Sequence, residues 1–237
     1  MVENQHNILF KKGRPISSKN ISKCIHEFGR SYNATVRKII LNTNELDEVI
    51  FKANAVRLLN NFGMARSGPY KGIKLLKSGK IVDPKNNIAA SWNAINAELK
   101  LAKNILQISK CQPRTRTLVL LNSDTRIKVV SILWGAFKKL LPITMGKTSF
   151  GLVGASKILF SVFPEIVLPV DNAEWLHVFK TVDFADVTYR MADEIMAWEK
   201  STGKQLENCD RGNPQLTLPG VFNVMAMKAR PLQSKME

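Results

Sequence analysis

Hydrophobic residues recur every three or four positions along most of this chain, which is the spacing of one face of an α-helix. The pattern is clearest over residues 43–62, 88–109, 125–141 and 184–201. No segment alternates like a convincing β-hairpin, and no internal repeat is found. The sequence therefore predicts a mainly α fold, a multi-helix bundle-like globular arrangement of about eight to ten helices.

Polar residues at the helix ends support this assignment. Thr43 or Asn44 can cap the first of these helices and Asp183 the last, because their side-chain oxygens accept from free backbone N–H groups. Within the last helix, the apolar spacing leaves Glu194 and Glu199 on the opposite face. Both glutamates are expected to face water.

A different pattern occupies the centre of the chain. Pro142 is expected to end the helix before it, and Ser149 to cap a short glycine-bearing helix over residues 150–163. An apolar run at 166–170 is predicted to be extended, because it contains a proline. Asp171 follows directly, at the start of another helix. Its carboxylate can cap that helix, or it can line a pocket and take part in chemistry.

Positive charge is concentrated in one part of the chain. The 237 residues include 35 Lys/Arg and 19 Asp/Glu, a net charge of +16. Residues 61–140 contain 15 Lys/Arg and 3 Asp/Glu, whereas residues 141–237 contain 10 and 11. A segmental excess of this size predicts a polyanionic partner, and nucleic acid is the commonest polyanion. A generally basic protein without such a partner is the plainer interpretation.

Composition divides the chain into three predicted parts. Residues 1–19 form a polar, basic N-terminal arm, which is expected to be loose. Residues 20–140 form a basic helical subdomain. Residues 141–237 form a helical subdomain that contains the glycine-lysine helix and a Pro-Val-Asp segment.

The sequence lacks the patterns of a metal protein or a membrane protein. Three cysteines and three histidines show no metal-ligand spacing, and no apolar run reaches about eighteen residues. The first residues do not have the charged-then-apolar order of a secretion signal. We therefore expect a cytoplasmic protein with no metal, no organic cofactor and no membrane partner.

Several residues are candidates for contacts with a phosphate backbone. The Gly-, Pro- and Ser-rich stretch 63–87 and a basic turn near residue 115 supply the cations Arg66, Lys71, Lys74, Lys77, Arg114 and Arg116. The stretch 63–87 is equally consistent with a solvated loop. On the glycine-bearing helix, Gly151, Gly154 and Ser156 would let either another helix or a DNA backbone approach closely.

Part of the chain resembles the helix–hairpin–helix DNA glycosylase superfamily, and the archaeal oxoguanine glycosylases are nearest in pattern. The matching residues are Lys147-Thr148, Gly154, Lys157-Ile158-Leu159, Pro169-Val170-Asp171, Trp198 and Ser201-Thr202-Gly203. The resemblance covers residues 145–203. The sequence departs from the family pattern in having two residues between Gly151 and Gly154, where the common hairpin has one. It also lacks the iron–sulfur cysteines of some members.

The resemblance implies an enzyme that flips a damaged or modified base out of double-stranded DNA and breaks its glycosidic bond. Asp171 would stabilise positive charge on the sugar or help to deprotonate a nucleophile. A lysine amine would attack the anomeric carbon and form a Schiff base. Lys147 and Lys157 are both candidates, and Lys147 is favoured because a loop lysine reaches a pocket more freely. The aromatic residues that would stack on the flipped base are Trp134, Phe150 and Trp175.

Three functions stay open at this point. The first is a DNA glycosylase, with AP-lyase activity if a lysine attacks and without it if Asp171 only activates water. The second is a non-catalytic nucleic-acid-binding protein that uses the basic segment 61–140. The third is an RNA-coating or assembly protein that depends on the same basic residues.

Overall fold

Helices account for most of the fold, as the hydrophobic spacing predicts. A computed structural model describes residues 8–41, 46–110, 114–147 and 150–230. Its α-helices are α1 (Ser18–Phe28), α2 (Arg30–Leu41), α3 (Glu48–Asn61), α4 (Asn87–Ile108), α5 (Thr117–Leu120), α6 (Ser123–Thr144), α7 (Leu152–Phe160), α8 (Phe184–Thr202) and α9 (Leu218–Lys228). Short 3₁₀ turns lie at Met64–Arg66, Gly68–Tyr70 and Leu206–Cys209, and a π-helix lies at Glu174–Phe179. The predicted mainly α class is confirmed.

The two longest helices, α4 and α6, pack against each other. Each has 22 residues, and each buries an apolar stripe that includes Leu99 of α4 and Phe137 of α6. Helix α7 folds back onto α6, and α3 packs against both α4 and α7. Helix α7 is therefore enclosed by neighbours, which explains why residues 154–160 are all buried.

Side-chain caps fix several helix starts. Asn122 accepts from the Thr125 N–H at 2.8 Å at the start of α6. Asp183 accepts from the Ala185 N–H at 2.7 Å at the start of α8, as predicted. Helix α3 is capped by Asp47, which accepts from the Ile50 N–H at 2.7 Å. The predicted caps Thr43, Asn44 and Ser149 lie outside the described residues.

Two short β-hairpins are present that the hydrophobic pattern does not reveal. Strand β1 (Phe10–Lys11) pairs with β2 (Arg14–Pro15), and β3 (Lys74–Leu75) pairs with β4 (Ile81–Val82), both antiparallel. Strands of two residues are too short to show alternation. Within the predicted arm, Ile8 and Leu9 are buried and the first hairpin follows them, whereas residues 1–7 lie outside the described residues.

Glu194 and Glu199 do not face water as expected. Glu194 is 2% exposed, and its Oε1 accepts from the N–H groups of Ile8 and Leu9 at 2.7 and 2.6 Å. Glu199 forms an ion pair with Arg116 at 2.8 Å. Both partners come from segments far away in the sequence. The periodicity of α8 alone therefore could not identify these contacts.

The centre of the chain differs from expectation in two details. Pro142 does not end α6 but lies within its last turn, where the Met145 N–H still donates to the Leu141 carbonyl at 2.9 Å. A proline removes only its own N–H from the helix, so this last turn persists. Helix α7 is shorter than residues 150–163, and a run of buried residues without helix or strand follows at 167–170.

Candidate functional site

The end of α6 packs so closely against the start of α7 that two positions there require glycine. Gly151 has φ of 79°, and a Cβ there would lie 2.6 Å from the Leu141 carbonyl oxygen. A Cβ at Gly154 would lie 2.8 Å from the Cβ of Thr144. The Thr144 hydroxyl also donates to the Gly151 carbonyl at 2.7 Å. These contacts fix the direction of α7, the helix that carries Lys157.

Lys157 is a buried lysine with one carboxylate partner. Its side chain is 2% exposed, and its Nζ lies 3.7 Å from the centroid of the Phe62 ring. The same Nζ donates to Oδ1 of Asp171. Burial lowers the pKa of Lys157, and the nearby Asp171 carboxylate opposes that shift. The net direction is downward, which favours the neutral amine that a nucleophile needs.

Asp171 occupies the capping position but its carboxylate does not cap the helix. One oxygen accepts from Lys157, and the other pairs with Nη2 of Arg230 at 3.0 Å. Its backbone N–H donates to Oε2 of Glu174 at 2.7 Å, which is the reciprocal half of a capping box. The Asp171 side chain is 25% exposed. It is therefore the part of the Lys157–Asp171 pair that solvent or a ligand can reach.

Glu174 and Arg230 complete the group, which we call the Lys157–Asp171 cluster (Lys157, Asp171, Glu174 and Arg230). Arg230 Nη2 lies 3.1 Å from Oε2 of Glu174. Glu174 is fully buried, and burial raises its pKa to about 7. It stands at the start of the π-helix, a form of helix that is often found at functional sites. The cluster thus combines a desolvated amine, a partly open carboxylate and a carboxyl that titrates near neutrality.

Tyr32 lies near the carboxylates of the cluster and stays neutral. Its phenol oxygen accepts from Nδ2 of Asn223 at 2.9 Å, and burial raises the pKa of Tyr32 above its usual value. The charges of Glu174 and Asp171 raise it further. This residue adds no charge to the cluster at neutral pH.

The structure brings Asp171 together with one of the two candidate lysines. Within the described residues, the lysine that pairs with Asp171 is Lys157. Lys147 is exposed in the turn after α6, and its neighbour Thr148 lies outside the described residues. The sequence favoured Lys147 because of its freedom in a loop. The packing of α7 favours Lys157 instead.

Three members of this site were missed by the sequence reasoning. Glu174 stands three residues after Asp171, which is capping-box spacing, so this signal was available. Arg230 is 59 residues from Asp171 and Phe62 is 95 residues from Lys157. No local pattern connects positions so far apart, so these two neighbours needed the fold.

The three aromatic candidates lie in different surroundings. Trp175 is buried, with its ring centroid 6.1 Å from that of Phe137. Trp134 is partly buried and stacks on Phe184 at 6.2 Å. Phe150 is 80% exposed beside the α6–α7 turn. The structure therefore leaves Phe150 as the most accessible of the three to a base.

The cationic candidates separate into exposed and paired residues. The exposed ones are Arg66, Lys71, Lys74, Lys77 and Arg114. The first four belong to residues 63–87, which contain two 3₁₀ turns and the β3–β4 hairpin and which we call the 63–87 loop. Arg116 differs, because its guanidinium lies 2.8 Å from Glu199 and 2.6 Å from Glu207. These two carboxylates raise the pKa of Arg116. Arg116 is thus a structural cation that joins the chain near α5 to α8.

Ser156 is also unsuited to the phosphate contact that the sequence suggested. It is fully buried, and its hydroxyl lies 3.1 Å from the carbonyl oxygens of Val153 and Val170. Gly154 is likewise buried against Thr144. The small residues of α7 therefore serve helix packing, which was the other interpretation of their spacing.

Within the ranges that the structure describes, no three His, Cys, Asp or Glu side chains are grouped so as to hold a metal ion. None of the helices in those ranges is both long enough and apolar enough to cross a membrane. Comparison with known proteins gives no match to any family model, curated protein or solved structure.

Proposed function

We propose that this protein is a DNA base-excision enzyme, a glycosylase with lyase activity, in which Lys157 is the nucleophile and Asp171 its partner carboxylate. The observation that carries the proposal is the contact between Lys157 and Asp171, at the site where the glycine-bearing α7 meets the Pro-Val-Asp segment. The resemblance to helix–hairpin–helix glycosylases falls on the same residues. A fold related to that superfamily is part of the proposal.

The chemistry follows from the protonation states of the pair. Asp171 takes a proton from Lys157, and the neutral amine attacks C1′ of a flipped nucleotide. A C–N bond to Lys157 forms as the glycosidic bond breaks, and the leaving base takes the proton that Asp171 received from Lys157. A proton then passes from the nitrogen to the ring oxygen O4′ as the sugar ring opens to an imine, and loss of a 2′ proton breaks the 3′ C–O bond and releases the 3′ phosphate.

The surroundings of the pair define how substrate enters. Lys157 is covered by Phe62 on one side, whereas Asp171 keeps a partly exposed face. Substrate therefore approaches from the Asp171 side and separates this carboxylate from Arg230. Phosphates of the duplex are contacted by exposed lysines of the 63–87 loop, including Lys71, Lys74 and Lys77.

Borohydride trapping tests this assignment directly. The protein is mixed with duplexes that carry an abasic site or a panel of damaged bases, and reduction fixes any Schiff base as a covalent adduct. We expect an adduct whose modified peptide contains Lys157. The variant Lys157→Met, which keeps the length of the buried side chain, should form none. The matched variant Lys147→Gln should trap as well as the unaltered protein.

The presence or absence of an adduct separates the two kinds of enzyme, and the variant Asp171→Asn tests the carboxylate in either case. If the protein releases a base but gives no adduct, and if the release is lost in Asp171→Asn, the enzyme is a monofunctional glycosylase and Lys157 is not its nucleophile. An adduct mapped to Lys147 would move the nucleophile to the exposed turn. Circular dichroism of each variant shows that loss of activity is not loss of fold.

A non-catalytic nucleic-acid-binding protein is the second candidate. Two observations favour it. Lys157 is buried and already paired with Asp171, and the 63–87 loop has exposed cations. This candidate predicts salt-dependent DNA binding with neither adduct nor base release on any substrate. It also predicts that Asp171→Asn leaves binding unchanged.

A further inference from the structure

A basic cleft lies between the β1–β2 hairpin and helices α1 and α9, away from the 63–87 loop. Its volume is about 1190 Å³, above the roughly 300–1,000 Å³ of typical small-molecule pockets. Five cations and one carboxylate line it: Lys11, Lys12, Arg14, Lys23, Lys228 and Glu27. The cleft is therefore large, and the charged groups that line it are mostly positive.

The hairpin that carries three of these cations is held in place. Its two-residue loop, Lys12–Gly13, has φ of 51° and 72°, the backbone that tight two-residue hairpins require. Glu194 anchors the backbone just before β1, and the Trp198 indole N–H donates to the Ile16 carbonyl at 2.8 Å just after β2. The hairpin backbone that carries Lys11, Lys12 and Arg14 is thus anchored to α8 on both sides.

The lining of the cleft combines apolar and charged side chains. Phe10 of β1, Ile16 just after β2 and Met225 of α9 line it together with the cations, and Phe10 and Ile16 are only partly buried. Single-stranded nucleic acid matches such a lining, because its unpaired bases can contact apolar side chains while its phosphates contact cations. A duplex keeps its bases stacked inside and offers phosphates alone. The mixed lining therefore favours the single strand.

We propose that this cleft binds single-stranded nucleic acid. Glu27 lies 3.7 Å from the amines of both Lys23 and Lys228, and all three side chains are exposed, so these ion pairs are weak and a phosphate can compete for either amine. Helix α9 ends at Lys228, and Arg230 just beyond it reaches Asp171. A strand that leaves the cleft along this helix end is directed toward the Lys157–Asp171 cluster. Binding itself does not depend on base excision.

The test is the salt dependence of binding to a fluorescein-labelled, undamaged 20-mer single strand. The double variant Arg14→Gln/Lys228→Gln removes one cation from the hairpin and one from α9. The control variant Lys38→Gln/Lys100→Gln removes the same charge from exposed positions on α2 and α4. We expect the cleft variant to flatten the plot of log affinity against log salt by about 1.4, because each single-strand phosphate contact contributes about 0.7.

Location and ligand class are tested in the same samples. Cys24 lines the cleft, so bound strand should slow its alkylation by iodoacetamide, followed by mass spectrometry of its peptide. Equal flattening in the cleft and control variants, or unchanged alkylation of Cys24, would overturn the site. The single-strand assignment would be overturned if the cleft variant flattened the salt dependence of the matched duplex as much as that of the single strand, or if inorganic polyphosphate competed equally with the strand. None of these outcomes bears on trapping at Lys157.

Discussion

Asp171 shows that a residue in a capping position need not act as a cap. Its backbone is held by Glu174, so its carboxylate is left for Lys157 and Arg230. The same arrangement buries Glu174 and raises its pKa. Ion pairs and burial therefore determine the partners and the pKa values of these side chains more than helix capping does. The resulting pKa shifts can be measured.

Glu165 gives the clearest titration outside the cluster. It is 2% exposed, and burial raises its pKa from 4.5 to about 7, with the charge of Lys103 opposing the shift. The folded state therefore holds a proton that the unfolded chain has lost between pH 4.5 and 7. The unfolding free energy falls as pH rises through this window, by at most about 3 kcal/mol.

The variant Glu165→Gln should remove this dependence, because glutamine stays neutral at every pH. We expect it to be more stable than the unaltered protein at pH 8 and similar at pH 4.5. Urea denaturation across this range measures the difference. Glu174 contributes to the slope that remains, because its pKa is raised in the same direction. Parallel stability curves for the two proteins would contradict the assignment to Glu165.

Replacing Arg116 tests whether this cation stabilises the fold or binds DNA. Replacing it by glutamine leaves Glu207 buried without its cation, and we expect a loss of about 2 kcal/mol in unfolding free energy. The salt dependence of DNA binding should not change. Arg114→Gln is the matched control, because this neighbour is exposed and should leave stability unchanged. If the Arg116→Gln protein were as stable as the unaltered one but bound DNA more weakly, Arg116 would instead be a phosphate contact, as the sequence predicts.

At the scale of elements, the α6–α7 turn determines where Lys157 lies. Alanine at position 151 would need a left-handed backbone and would place its Cβ against the Leu141 carbonyl. We expect Gly151→Ala to lower the unfolding free energy by about 2–4 kcal/mol and to reduce any trapping at Lys157. Thermal and urea denaturation measure the stability.

Gly203 provides the control for the backbone alone. It has φ of 65° at the end of α8, but a Cβ there would meet open space. Gly203→Ala should therefore cost about 1 kcal/mol, the strain of the left-handed region without the clash. Equal losses of unfolding free energy in Gly151→Ala and Gly203→Ala would show that close packing of α6 and α7 does not contribute to the cost at position 151.

Elements differ in how far the sequence could predict them. The sequence predicts helix α4 at 88–109, and the structure has it at Asn87–Ile108. This prediction succeeds because the apolar spacing of a long amphipathic helix is visible within one continuous stretch of sequence. The β1–β2 hairpin was not predicted, since its anchor Glu194 is 186 residues from Ile8. The pairing of Lys157 with Asp171 was only one of two possibilities, and tertiary packing distinguishes them.

At the scale of the whole molecule, one hydrophobic core joins all three segments that the composition distinguishes. It includes Leu9 of the N-terminal segment, Phe51 of the basic segment and Trp198 of the C-terminal segment. Most of the cations of the basic segment lie on the outside of this shared core, and Lys103 and Arg116 are exceptions. The effect of this positive charge on partners can be changed without changing the fold, provided that the altered cations are exposed.

The 63–87 loop offers such cations, and it decides whether the basic middle of the chain binds duplex DNA. The triple variant Lys71→Gln/Lys74→Gln/Lys77→Gln should flatten the salt dependence of duplex binding by about 2.7, at about 0.9 for each phosphate contact. Its melting temperature should not change, because the three side chains are exposed. The control Lys38→Gln/Lys100→Gln/Lys128→Gln removes the same charge from exposed helical positions. If both variants change the slope equally, net charge alone attracts the DNA and the loop is an ordinary solvated surface.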